Sequence, residues 1–189
     1  MEKVMKLILV ISLLFSLSYC SRVDRDNTAG VIISVVSIRA TSSNGDTGSI
    51  LYSDVNYEGS YINDTAEIDF RNYLMNQSIV PTFFNNVVLN RYRVTYKRPD
   101  NRNTPGVDVP YPFDEVMNIQ VNANGSASTG ITIVRALAKR ETPLWDLQDV
   151  EHEVVISTMA NIDFWGNDLA GRPVHTMGYL EVLFANWAD

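Results

Sequence analysis

The chain has 189 residues, of which 46% are hydrophobic and 20% charged, and its formal net charge is -7. That length suits one ordinary domain, and the apolar fraction is too high for a disordered chain. The excess of 22 acids over 15 bases excludes a nucleic-acid partner, and a single cysteine excludes an internal disulfide framework and any thiolate metal cluster.

The chain opens on Lys3 and Lys6 against one Glu2, then runs apolar over residues 7–17 with only Ser12 and Ser16 interrupting. About eleven residues make a helix of roughly 16 Å, too short for a ~30 Å hydrocarbon core. A charged start, a short apolar centre and small polar residues after it predict a secretory signal helix. The stretch ends in Leu17-Ser18-Tyr19-Cys20, followed by polar Ser21, Arg22, Asp24 and Arg25. This resembles the lipobox of bacterial lipoproteins, although Tyr19 stands where that family has a small residue. The resemblance covers residues 1–20 and implies that Cys20 becomes the mature N-terminus, bound by a thioether to diacylglycerol. It also implies, through Ser21, an outer-membrane address. The alternative is a secreted protein cleaved nearby without lipid. Loss of residues 1–19 removes two of the 15 bases and one of the 22 acids, leaving 13 and 21, a net charge of -8 over 170 residues. Anionic headgroups repel such a body, so lipid rather than charge would have to hold it at a membrane.

Residues 20–29 are expected to form a tether, and residues 30–189 a single domain. No stretch of that domain repeats at helical spacing. Period-two alternation of β-branched and aromatic residues recurs instead, which predicts strands. In chain order they fall at 31–40, 49–57, 66–71, 87–98, 116–122, 130–139, 153–165 and 174–185. The strongest is 87–98, where Tyr92, Val94 and Tyr96 face one way and Arg91, Arg93, Thr95 and Lys97 the other. Turn residues separate most of them, and Asn124-Gly125 predicts a tight hairpin because both residues tolerate positive φ. The last two strands predict another hairpin across 166–173.

Long loops are expected at 41–48, 76–86, 99–115 and 140–151. Pro99, Pro105, Pro110 and Pro112 keep the third out of a central sheet, and residues 142–147 predict one helical turn. About eight short strands without helical stretches predict an all-β, two-layer antiparallel β-sandwich. Its closing hairpin, from Phe164-Trp165-Gly166 into Gly178-Tyr179-Leu180, is similar in pattern to immunoglobulin-like and fibronectin-type sandwiches.

Chemical motifs are sparse. His152 and His175 are the two histidines and neither has metal-ligand spacing. No nucleophile elbow or glycine-rich phosphate loop occurs, so no cofactor is expected. Asp163 with Asp168, or Asp114 with Glu115, are the carboxylate pairs a hydrolase reading would need. Asp64, Asp100 and Asp168 sit beside asparagines in predicted loops and are weak calcium candidates, without an Asp-x-Asp-x-Asp-Gly loop to organise them. Tyr111, Trp145 and Trp165 lie in or beside long loops and are the aromatics best placed to meet a ligand. Taken together, these features predict a non-enzymatic, lipid-anchored binding or structural module of the bacterial envelope. Its membrane contact would run through Cys20, and its partner would be an envelope protein or a glycan. The rival readings are a carbohydrate- or calcium-binding module and a hydrolase built on one of those carboxylate pairs.

Overall fold

A computed structural model describes residues 29–42, 45–150 and 154–187. Nine strands run β1 (Val31–Thr41), β2 (Thr47–Gly48), β3 (Ile50–Asp54), β4 (Asp64–Leu74), β5 (Val87–Lys97), β6 (Phe113–Val121), β7 (Ser126–Val134), β8 (Ile156–Asp168) and β9 (Pro173–Ala185). They form a two-layer β-sandwich. One sheet has the order β2-β1-β4-β7, the other β3-β9-β8-β5-β6. Among the described residues no helix is long and apolar enough to cross a membrane.

The alternation legible in the sequence is what closes the two layers. Ile68 and Phe70 from β4, Tyr92 and Val94 from β5, Ile133 from β7, and Ile162 and Phe164 from β8 are all buried. Phe70 and Phe164 meet edge to face across the interface, with centroids 4.9 Å apart. That geometry adds roughly 1 kcal/mol beyond the area it buries. Two phenols also bridge the sheets. Register slips between Asp64 and Thr65, so that Thr65 pairs with Thr132, Asp64 pairs with Val134, and Ile133 has no residue opposite. The Ile133 carbonyl accepts the Tyr96 hydroxyl at 2.5 Å instead. Burial and the nearby Asp64 carboxylate hold that phenol far above its ordinary pKa, so it remains a donor.

Three local features differ from the sequence reading. Asn124 does take positive φ (56°), but β6 and β7 lie in different sheets, so Asn122 to Gly125 form a corner between layers rather than a hairpin. The β7 strand accordingly starts at Ser126 and ends at Val134; residues 135–139 turn away, with a 3₁₀ turn at Ala138–Arg140. One pair is parallel. The chain reverses through β2 and crosses to the other sheet as β3, which then runs in the same direction as β9. The expected closing hairpin is present as β8–β9, although Gly166 lies inside β8. A Cβ at Gly166 would sit 2.0 Å from the Val88 carbonyl oxygen, so this position requires glycine where β8 crosses the irregular register of β5.

Register also assigns the loops to two ends. Val31 pairs with Leu74, and Val87 with Asp168. Residues 29–30 and the loops 75–86, 122–125 and 169–172 therefore share one end. Thr41 pairs with Thr65, Asp54 with Ala185 and Lys97 with Met159, which sends the loops 55–63, 98–112 and 135–150 to the other. The eleven residues of β1 put roughly 35 Å between the ends. Phe164→Ala should lower stability by about 3–5 kcal/mol in urea unfolding. Val116→Ala, at a side chain 88% exposed, should change it by less than about 0.5 kcal/mol.

Candidate functional site

The end remote from Ala29 is organised around a buried ion pair. Asp64, the first residue of β4, and Lys139, in the turn after β7, are both fully buried, with Lys139 Nζ 3.0 Å from Asp64 Oδ2. Ser53 of β3 donates its hydroxyl to the same carboxylate at 2.6 Å. One charge pair thus joins a strand of each sheet to the 135–150 segment. Gln148 adds three further ties: its side chain accepts from the Tyr61 hydroxyl (3.0 Å) and donates to the Lys139 carbonyl (3.3 Å), and its own carbonyl accepts from Asn186. Leu144 and Leu147 are buried beneath.

Upon this base stands an aromatic stack. Arg140 lies over the Tyr61 ring at 4.6 Å, and Tyr61 stacks on Trp145 with centroids 6.4 Å apart. Trp145 is the last member and is 48% exposed. Tyr111 belongs to the same end. Its ring lies against Gly106, which has φ of 74° and where a Cβ would meet the Tyr111 ring at 2.3 Å. The Thr142 hydroxyl donates to the Gly106 carbonyl at 2.6 Å, which joins the Tyr111 loop to the segment bearing Trp145. Inside loop 98–112, Arg98 grips Asp100 through two hydrogen bonds, while Asp108 accepts from the Thr104 amide and Arg102. The Arg98 hydrogen bond holds the Asp100 carboxyl below its ordinary pKa, and the Thr104 amide does the same for Asp108.

Trp165 lies elsewhere, on the outer face of the five-stranded sheet. Arg91 of β5 lies 4.4 Å over its ring and His175 of β9 packs against it at 5.3 Å. These are direct cross-strand neighbours, so both faces of the indole have partners and it is not an open stacking platform. His175 in turn contacts Asp163 at 2.9 Å. The same outer face carries exposed Tyr52, Met159, Met177 and Tyr179. The opposite sheet presents an Arg39–Glu67 pair and Asp69, which accepts from Ser37 and Ser128.

The carboxylate candidates do not converge. Asp64 is committed to Lys139 at one end. Asp168 is buried at the other, paired with Arg172 at 3.1 Å and capping its own turn. Asp100 lies at the same end as Asp64 but is held by Arg98 within the loop after β5. Among the described residues no group of three or more His, Cys, Asp or Glu is arranged to hold a metal ion. Asp163 faces outward beside His175 while Asp168 points inward. Asp114 reaches Arg93 at 3.6 Å, whereas Glu115 turns to Tyr92. Cys20 and His152 lie outside the described residues. No protein-family model matches the chain, and no curated protein is similar to it in sequence.

Sequence reasoning missed Arg140 and the Lys139–Asp64 pair. Lys139 alternates into a strand pattern, and nothing local signals that its charge turns inward. Asp64→Ala would leave the Lys139 ammonium buried without its main partner. The variant should lose about 3–5 kcal/mol in urea unfolding, and the double variant Asp64→Leu/Lys139→Met should lose less than this single change.

Proposed function

We propose that this chain is a lipid-anchored, non-enzymatic binding protein of the bacterial cell envelope. It is tethered through Cys20 and meets a protein or glycan partner at the end that carries Trp145 and Tyr111. The observation that carries the reading is the separation of the two ends. The described chain starts at Ala29, at the foot of β1, while the aromatic loops sit roughly 35 Å away at the other end of the same strand. A protein held at a membrane through residues just before Ala29 presents those loops outward.

The surface itself supports a binding role. Trp145 is braced on one side by Tyr61 and half exposed, so it offers rigid aromatic area at little entropic cost to a sugar ring or an apolar protein side chain. The carboxylates, each engaged with a separate base or donor, favour recognition over hydrolysis. An immunoglobulin-like architecture is supported by β2 and β3 dividing between the sheets, with β3 parallel to the last strand. Ser21 after Cys20 supports the outer membrane as the destination.

Mass spectrometry of the protein isolated from membranes tests the anchor. The expected result is a tryptic peptide beginning at Cys20 and carrying diacylglycerol. An unmodified N-terminus, or a first residue other than Cys20, overturns it.

A further inference from the structure

Along one flank both sheets end in edge strands, β6 on one layer and β7 on the other, connected along the chain by the 122–125 corner. Between them runs a groove of about 340 Å³, with Tyr92 at its floor, Glu115 and Met117 on one wall, and Thr129, Ile131 and Thr132 on the other. The Thr132 amide donates to the Tyr92 hydroxyl at 3.1 Å, and that hydroxyl donates to Glu115 at 2.6 Å. The first bond fixes the direction of the Thr132 backbone: it points away from β4, into the flank. Because strand backbones alternate with period two, the N–H and C=O groups of Gly130 and Ser128 point the same way. Among the described residues no strand pairs with β7 on that side.

Natural edges are blunted by charge, proline or a covering loop. Over its nine residues, Ser-Ala-Ser-Thr-Gly-Ile-Thr-Ile-Val, β7 has no charged side chain and no proline. Small residues at 126, 128 and 130 leave the backbone approachable. We infer that the β7 edge takes an extended peptide segment of a partner protein as an added strand. Alternate apolar side chains of that segment would enter the groove over Met117 and Ile131, and a lysine or arginine would meet Glu115. Charge selects this occupant. The groove has no basic residue, and the contact shown for the Glu115 carboxylate is the neutral Tyr92 hydroxyl. A second copy of the chain pairing through β7 would bring a second Glu115 to the seam instead of a counterion.

The test uses the folded chain and two seven-residue probes, one alternating lysine with valine and one alternating glutamate with valine. Backbone hydrogen exchange is followed residue by residue. The lysine probe should slow exchange at Ser128 and Gly130 by about tenfold or more, and the glutamate probe should not. Glu115→Gln should weaken the lysine probe by about tenfold, the loss of one charge-assisted contact. Gly130→Pro, which removes an edge-facing N–H without touching the β4 ladder, should abolish protection. The proposal is overturned if neither probe protects those amides. It is equally overturned if both protect them alike, or if sedimentation shows that the chain already covers the edge by dimerising.

Discussion

The contact between Lys139 and Asp64 governs the end of the molecule that carries Trp145 and Tyr111. A charge taken fully out of water is tolerated only with a partner, so neither residue can leave without stranding the other. Asp64 begins β4, Ser53 belongs to β3, and Lys139 follows β7, so the pair fixes both sheets and the long segment between β7 and β8 at a single point. The register slip of β4 against β7 lies beside it, and the carbonyl this exposes is taken up by Tyr96 from the opposite layer. Arg140, Tyr61 and Trp145 stack on that base, because the turn holding Lys139 inward leaves its neighbour Arg140 pointing out.

The other end is held differently. There the fully buried Asn72 donates to the carbonyls of Asn85 and Val121, tying β4 to loop 75–86 and to β6 with neutral hydrogen bonds. The Asp168 carboxylate closes the β8–β9 turn with two of the turn's own amides. This end also has apolar surface: loop 75–86 exposes Ile79, Val80, Phe83 and Phe84, and the Phe83 and Phe84 rings meet edge to face with centroids 6.2 Å apart. The two ends thus differ in how they are held, one by a buried ion pair and the other by hydrogen bonds between side chains and backbone. The outer faces are both mixed: the four-stranded sheet carries the Arg39–Glu67 pair beside exposed Ile32 and Tyr73, and the five-stranded one carries Tyr52, Tyr179 and Met177 beside the Arg93–Asp114 and His175–Asp163 pairs.

Much of the sandwich was legible because alternation is a local signal. The strands around Tyr92, Phe70, Phe164 and Val182 read directly from period two, and all four side chains are in the core. What stayed hidden was non-local. Asn124-Gly125 specifies a backbone bend but not whether the strands it joins share a sheet. The parallel pairing of β3 with β9 joins segments some 130 residues apart, and no local pattern encodes it. At the candidate site, Trp145 and Tyr111 were visible as loop aromatics and do share one end. Trp165 was equally visible, yet Arg91 and His175 cover its two faces, which only cross-strand register could reveal. Asp64 looked like a loop acid suited to calcium. Its burial against Lys139 depends on a residue 75 positions later in the chain.

The proposed membrane attachment lies at the end of the sandwich opposite the aromatic loops. If Cys20 is consumed as a thioether, an introduced cysteine is the sole free thiol of the mature chain, so a donor dye can be placed at will. Energy transfer from dyes at Ala170→Cys or Asp146→Cys to acceptor lipids, in vesicles carrying the lipidated protein, measures the two heights directly. The account predicts strong transfer from position 170 and weak transfer from position 146, as expected for ends roughly 35 Å apart. Equal transfer from both, or the stronger signal from 146, would contradict it.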